Sequence, residues 1–242
     1  MSNPIRTISQ LQDALDAERV WRLRELSVLR KKLVPSTRIV GPENEDELAL
    51  LRPCIAMVYA HWEGFVKSAC GMYLEFVAMQ RVIHKDLASS FLALAARRYA
   101  TSIGATGASA DRAIVTFYRD QADRRGHVPY RGGVDTKSNL WFEVFQEIFD
   151  SLGLSWRQYE LKSKLIDSKL VSKRNAIAHG RYIDIKAVDV VEIFDSVLDL
   201  MESIKDQLLD AAINEEYKLR GPVGRLAFGI APAVVPGAGA PI

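Results

Sequence analysis

Residues 173–182 read KRNAIAHGRY, and the rest of the chain is interpreted around them. The apolar residues before this stretch recur at helical spacing, and Gly180 stands where a left-handed C-terminal cap ends a helix. Because an α-helix turns by about 100° per residue, Asn175 and His179 share one face, with Arg174 on its flank. The three polar side chains are predicted to converge on one ligand.

The position of His179 admits two interpretations. A histidine in the last turn lies at the negative end of the helix dipole, which suits a general acid or a phosphate-binding group. Arginine and histidine are also common in last turns because they complement the free carbonyl groups there. Taken alone, the motif is more often a capping device than a site, so the rest of the chain has to decide.

Charge is distributed unevenly around this motif. The sequence has 242 residues, is 48% hydrophobic and carries a formal net charge of +2, so it can bury a sizeable core and has no global basic field. Residues 157–186 contain eight basic and three acidic side chains, whereas residues 187–217 contain one basic and nine acidic. This asymmetry gives modest support for an anionic ligand near the motif.

The hydrophobic pattern predicts an all-α protein without sustained strand alternation. Caps, prolines and glycines bound the predicted helices at 7–34, from 44 onward with a break at Pro53, at 86–103, 110–124, 138 or 139 to 152, 155–179 and 186–218. Residues 125–137 form the longest irregular segment between helices. Its basic and aromatic side chains suit RNA contacts or a plain connector.

Cysteine usage and hydropathy bear on the compartment. Cys54 and Cys70 belong to one apolar helical pattern and lie too far apart along it for a disulfide, so we expect reduced core residues. No apolar run approaches the roughly 18 residues of a membrane span, and the N-terminus lacks a signal-peptide core. We expect a soluble, cytoplasmic protein with no membrane partner.

Several familiar chemistries lack their sequence signatures. The chain has no glycine-rich phosphate loop after a strand, no Cys/His pair at zinc spacing and no His-Glu-x-x-His helix. Its four histidines are scattered. We therefore expect no metal and no cofactor.

A second motif lies upstream, where residues 62–67 read WEGFVK on an apolar helix. A helical bundle with this motif, followed by a helix that ends in Arg174-Asn-x-x-x-His179, resembles the HEPN domain family in its group of stand-alone bacterial proteins. The resemblance covers about residues 44–217. It predicts an HEPN-like helical domain at 44–218, preceded by an added long helix and linker at 1–43 and followed by a flexible Gly/Pro/Ala-rich tail at 219–242.

The resemblance implies a function. Family members with this motif are metal-independent endoribonucleases, often toxins or defence effectors, whose site pairs two motifs across a homodimer. By this resemblance Arg174 neutralises the scissile phosphate, and His179 moves protons between the ribose 2′-hydroxyl, the phosphate and the leaving 5′-oxygen. Asn175 orients the phosphate or His179, and Glu63 on the neighbouring helix supports Arg174 or His179.

The implied partners are RNA, a second copy of the chain and, as a further candidate, an antitoxin or other neighbouring-gene protein. RNA specificity follows because the nucleophile is a hydroxyl group that DNA lacks. Weaker RNA contacts are expected from Lys173, Arg181, Tyr182 and Arg131.

Two alternatives stay open. One is a catalytically silent HEPN domain that binds nucleotides or serves as a scaffold, and the other is a helical association module in which Arg174 and His179 only cap a helix. A ribonuclease loses cleavage but keeps its fold when these residues are replaced. A capping role instead predicts a loss of about 1 kcal/mol of stability with no activity to lose.

Overall fold

The structure is a computed structural model that describes residues 3–33 and 45–219, with the backbone alone for 45–48. Its α-helices are α1 (Ile8–Leu33), α2 (Glu45–Gln80), α3 (Ser89–Ser102), α4 (Ala108–Gln121), α5 (Phe142–Ser151), α6 (Ser172–Ala178) and α7 (Ala187–Ile213). The described residues contain no β-strand, only isolated bridges. The predicted all-α helical bundle is confirmed. The predicted Asn44 cap and residues 220–242 of the predicted tail lie outside the described residues.

Three long helices, α1, α2 and α7, pack together at the centre of the bundle. α2 carries the largest fully buried side chains, among them Trp62, Phe65 and Tyr73. Burying a large apolar side chain of this kind contributes about 1.5–3 kcal/mol. The predicted break at Pro53 is wrong, because one helix begins at Glu45 and runs through this proline. Cys54 and Cys70 are both free and buried in it. None of the described helices is both long and apolar enough to cross a membrane.

The predicted helix start at residue 7 carries a capping pair. The Thr7 amide donates to Oε1 of Gln10, and the Gln10 amide donates to Oγ1 of Thr7, each over 3.2 Å. This reciprocal capping box satisfies two amide groups that lack partners at a helix start.

A buried arginine joins α1 to α2. Arg22 donates to Oε1 of Glu18 in its own helix and, over 3.3 Å, to the carbonyl oxygen of His61 in α2. Burial lowers the pKa of His61, and the Glu25 carboxylate only partly offsets this, so a neutral ring lies beside the guanidinium. A Cβ on Gly64 would lie 2.9 Å from Nη1 and Nη2 of Arg22. The glycine of the WEGFVK motif therefore makes room for the α1–α2 contact.

An aromatic cluster attaches α5 to α2. The ring of Phe145 lies 5.7 Å from Trp62, 4.2 Å from Phe149 and 5.3 Å from Tyr159, measured between centroids. Tyr159 belongs to a 3₁₀ helix at Arg157–Lys162 that follows α5. These contacts fix the start of the segment that leads to the KRNAIAHGRY motif.

The prediction of one regular α-helix over 155–179 is wrong, because the segment contains three kinds of helix. It begins as the 3₁₀ helix, is α-helical at residues 163–164, continues as a π-helix at Leu165–Val171 and is α-helical again in α6. Leu165 and Leu170, like Ile166 and Val171, are buried pairs five residues apart. The i→i+5 spacing of a π-helix places such pairs on one face, which an α-helix does not do.

The predicted start of α5 at Ser138 or Asn139 is also wrong, because α5 begins at Phe142. The Phe142 amide donates to Oδ1 of Asp167, 2.7 Å away in the π-helix. An acceptor from another segment thus satisfies this helix start, and the side chain of Asn139 makes a different contact. The other predicted helices are present, with ends displaced by a few residues.

Two glycine substitutions in α2 test the α1–α2 contact. Gly64→Ala should lower the free energy of unfolding by about 1–3 kcal/mol, because the new methyl group displaces a pinned, buried guanidinium. Gly71→Ala is the matched control, since a Cβ there meets nothing within 4 Å, and it should raise stability by about 0.5–1 kcal/mol. Urea denaturation of both variants measures the difference, and effects of equal sign would contradict this role of Gly64.

Candidate active site

The motif helix α6 ends through its own backbone. Gly180 has φ = +66°, its amide donates to the Ile177 carbonyl over 3.0 Å, and the Arg181 amide donates to the Ala176 carbonyl over 2.9 Å. This is the hydrogen-bond pattern of a Schellman cap. Because the backbone satisfies these carbonyls, neither Arg174 nor His179 is needed as a side-chain cap, and the capping interpretation loses its main support.

Neutral groups hold the guanidinium of Arg174. Its Nη1 donates to Oδ1 of Asn139 over 2.8 Å and to Oδ1 of Asn175 over 2.9 Å. Its Cζ lies 4.6 Å from the centroid of the Tyr59 ring. It forms no ion pair with any carboxylate in residues 3–33 or 49–219, and no acceptor there takes a hydrogen bond from its Nε or Nη2. Within this described part of the chain, the side chain is restrained and its charge has no carboxylate partner.

Hydrogen-bond chemistry sets the orientation of the two amides. A guanidinium only donates, so both asparagines must present Oδ1 to it and direct Nδ2 elsewhere. An amide oxygen carries no net charge, so it restrains the cation without neutralising it. A positive charge that no described carboxylate neutralises suits a phosphate group.

Tyr59 forms the floor beneath Arg174. It is 1% exposed, and its hydroxyl oxygen accepts the Leu140 amide over 2.9 Å and lies 3.5 Å from Oδ1 of Asn139. Burial raises the pKa of Tyr59 to about 12, with a further upward contribution from the Glu63 carboxylate that the Leu140 amide and the Arg174 charge oppose. The phenol is therefore neutral at any physiological pH.

The structure brings together some of the predicted site residues. Arg174 and Asn175 are in direct contact, and His179 follows one turn later, exposed at the end of α6. Glu63 is half-buried, one turn beyond Tyr59 on α2, and is ion-paired with neither Arg174 nor His179 among the described residues. The direct hold on Arg174 comes from the two asparagines and Tyr59.

The predicted RNA-contacting residues surround α6 less tightly. Lys173 is half-buried on α6, Arg181 is exposed just after it, and Tyr182 is 80% exposed. Arg131 is exposed, with its Cζ 5.7 Å from the Tyr130 ring, and makes no hydrogen bond or ion pair to the motif within the described part of the chain. Three of the four therefore adjoin the motif in sequence, and Arg131 is separate from it.

Three residues at this site were not predicted from the sequence. Tyr59 has the spacing of an apolar core residue, and Asn139 lies where a helix is predicted to start. Arg52, which donates to the Arg181 carbonyl over 3.0 Å, belongs to neither sequence motif. Arg52, Tyr59 and Glu63 are spaced by seven and four residues, so they form a polar stripe along one face of α2. The spacing of these polar residues could have been detected in the sequence. The local sequence around Asn139, by contrast, does not distinguish this residue from a helix cap.

The end of the motif, from Ala178 to Tyr182, is exposed. A cavity of about 900 Å³ elsewhere is lined by Asp150, Gln158, Asp206, Gln207 and Lys218 among others, and by no residue of the motif. Among the described residues, no three histidine, cysteine or carboxylate side chains converge as metal ligands. An exposed helix end is accessible to a polymer.

Comparison with known families gives one match. A sequence model described as RiboL-PSP-HEPN matches residues 17–210, from within α1 almost to the end of α7. Both sequence motifs lie inside this range. We found no matching relative among curated proteins and no matching fold among solved structures.

The backbone cap predicts how the motif responds to mutation. His179→Ala should change the free energy of unfolding by less than about 0.5 kcal/mol, because the side chain is exposed. Gly180→Ala should cost about 1 kcal/mol, because alanine is strained at positive φ while its Cβ meets nothing within 4 Å. Thermal and urea denaturation compare the two variants, and a larger loss for His179→Ala would restore the capping interpretation.

Proposed function

The chain belongs to the RiboL-PSP-HEPN family, and we propose that it is a metal-independent endoribonuclease that cleaves RNA by attack of the 2′-hydroxyl group. HEPN domains are generally RNases or nucleotide-binding domains, and they typically dimerise and bind RNA. The observation that carries the proposal is the guanidinium of Arg174, which is restrained by neutral acceptors and keeps its charge for a phosphate.

The proposed reaction needs one proton carrier and one cation. His179 takes the proton of the 2′-hydroxyl, whose oxygen attacks phosphorus. His179 then returns this proton to the 5′-oxygen as the bond between that oxygen and phosphorus breaks. The products are a 2′,3′-cyclic phosphate and a 5′-hydroxyl, and no water is consumed. Arg174 stabilises the additional negative charge that develops on the phosphate, and Nδ2 of Asn175 orients one of its oxygens.

Expected magnitudes follow from these roles. Preorganised donors that stabilise developing charge are worth about 10²- to 10³-fold in rate, and a positioned general acid or base about 10²- to 10⁴-fold. Replacing Arg174 or His179 should therefore abolish most cleavage. Glu63 lies one turn from Tyr59 and is proposed to support the site through that neighbour.

Substrate contacts are proposed along the exposed end of α6. Lys173 and Arg181 bind phosphates on either side of the reacting one, and Tyr182, which is 80% exposed, offers a ring for base stacking. Arg131, on the 125–141 segment, contacts RNA farther from the cleavage point. These contacts are sequence-independent and salt-sensitive.

We also propose that a second copy of the chain completes the site. One motif covers one side of a phosphate. Two exposed apolar side chains are connected with the motif: Val188 follows it in sequence, and Leu50 is close in sequence to Arg52, which donates to the Arg181 carbonyl. An unrestrained ribonuclease would damage its own host, which favours a toxin or defence role in the cytoplasm and an antitoxin or similar protein partner.

RNA cleavage in EDTA tests the proposed activity. Wild-type protein should cut single-stranded RNA and leave 2′,3′-cyclic phosphate ends, whereas Arg174→Ala and His179→Ala should each lose at least about 10²-fold in rate. Arg30→Ala is the matched control, because Arg30 pairs with Asp195 on an exposed surface. A folded wild-type protein that binds nucleotides but cuts no RNA would favour the catalytically silent alternative.

RNA cleavage by mixed variants tests whether two copies of the chain share one site. Mixing Arg174→Ala with His179→Ala protein after subunit exchange should restore part of the activity if each copy contributes one intact residue. Mixtures no more active than the separate variants would contradict a composite site while leaving the single-copy chemistry open to the first test.

A further inference from the structure

We propose that Asn139 and Tyr59 are positioning residues that present the Arg174 guanidinium to a phosphate while leaving its charge unpaired. The inference rests on the proposed function, because it assigns a task in phosphate binding to residues outside both sequence motifs. It extends the site from α6 to α2 and to the segment before α5.

The contacts restrain the guanidinium in two directions. The guanidinium lies over the Tyr59 ring, with 4.6 Å between Cζ and the ring centroid, and the two asparagine oxygens hold Nη1. These hydrogen bonds thus involve only one of the three guanidinium nitrogens. The edge formed by Nε and Nη2 binds phosphate or carboxylate through two parallel hydrogen bonds. In residues 3–33 and 49–219, no acceptor occupies it.

Other arginines of the same chain show what a purely structural arrangement looks like. Arg30 donates to both oxygens of Asp195 over 2.7 and 2.8 Å, and Arg22 pairs with Glu18. Each of these cations is neutralised by a carboxylate. Arg174 occupies a half-buried position and is nevertheless restrained by an amide from a distant segment, 35 residues away in sequence.

The backbone around Asn139 is fixed on both sides. The Leu140 amide donates to the Tyr59 hydroxyl over 2.9 Å, and the Phe142 amide donates to Oδ1 of Asp167 over 2.7 Å. Because Asp167 satisfies the start of α5, Asn139 is released from capping that helix. Tyr59 thus makes two contacts. Its ring lies beneath the guanidinium of Arg174, and its hydroxyl oxygen accepts the amide of Leu140, the residue after Asn139.

A substitution at residue 139 can distinguish a positioning role for this side chain from a role in packing alone. Aspartate has nearly the same shape as asparagine, so Asn139→Asp preserves the hydrogen bond to Nη1 and strengthens it by charge. The same carboxylate neutralises the guanidinium and repels an incoming phosphate. A structural role predicts a variant at least as stable and as active as wild type, whereas a positioning role predicts a stable variant with impaired phosphate binding.

The experiment compares wild type, Asn139→Asp and Asn139→Ala in three measurements: urea denaturation, affinity for an uncleavable 2′-O-methyl oligoribonucleotide by fluorescence anisotropy, and cleavage of RNA in EDTA. We expect Asn139→Asp to unfold at the same or a higher urea concentration, to bind at least fivefold more weakly and to cleave at least tenfold more slowly. Asn139→Ala should cleave more slowly, with a smaller loss of binding. Wild-type cleavage and binding by Asn139→Asp would overturn the inference.

Guanidinium rescue gives a second, independent measurement. In Arg174→Ala, free guanidinium at tens of millimolar should occupy the space between Tyr59 and the two asparagines and raise cleavage at least tenfold, whereas methylammonium at equal ionic strength should not. Adding Asn139→Ala to that variant should abolish the rescue. Equal rescue with and without Asn139 would refute its positioning role.

These outcomes separate the inference from the ribonuclease proposal. If wild type binds the oligonucleotide without cleaving RNA and Asn139→Asp binds it more weakly, the positioning role stands and the ribonuclease proposal fails. If wild type cleaves RNA and the residue 139 variants cleave equally well, the ribonuclease proposal stands and the positioning role fails.

Discussion

The structure of the candidate site depends on one constraint: a half-buried guanidinium must be held in place without being neutralised. A carboxylate would hold Arg174 more strongly, but it would also neutralise the charge that binds a phosphate. The chain meets the constraint with two amide oxygens and an aromatic face, drawn from α2, α6 and the segment before α5. The relative placement of these elements is therefore what the helical bundle has to guarantee.

The π-helix at Leu165–Val171 provides much of that placement. Its buried residues, spaced by five, attach the segment to α2 and α7, and Ser172 closes it by donating from its amide and its hydroxyl to the Asp167 carbonyl. The Asp167 side chain meanwhile satisfies the first turn of α5. One short irregular segment thus sets the position of α6 and releases Asn139 for Arg174. π-Helical turns often accompany functional sites, and here the reason is geometric.

The fold class was predictable from sequence because helical periodicity is a local signal, and the Arg-Asn-x-x-x-His string placed its three side chains at one helix end. The chemistry of these residues stays a prediction. The environment of Arg174 was not predictable. Tyr59 has the same spacing as the core residues around it, and Asn139 stands where a helix cap is expected, so only the tertiary contacts separate their roles. The five-residue spacing of Leu165 with Leu170 and of Ile166 with Val171 was visible, but an α-helix is the commoner structure for an apolar run of that length. The division of the chain at residues 43 and 219 stays a prediction.

The central claim is that Arg174 carries a fixed, unpaired charge that binds a phosphate, and it is tested most directly by observing that side chain. Nitrogen-15 spectra of arginine Nε–H groups, assigned with Arg174→Lys, can be followed while an uncleavable 2′-O-methyl oligoribonucleotide is added. The account predicts that the Arg174 signal shifts and saturates with the oligonucleotide, while that of Arg30, which is paired with Asp195, stays in place. An Arg174 signal that does not move when other signals show saturated binding would contradict the account.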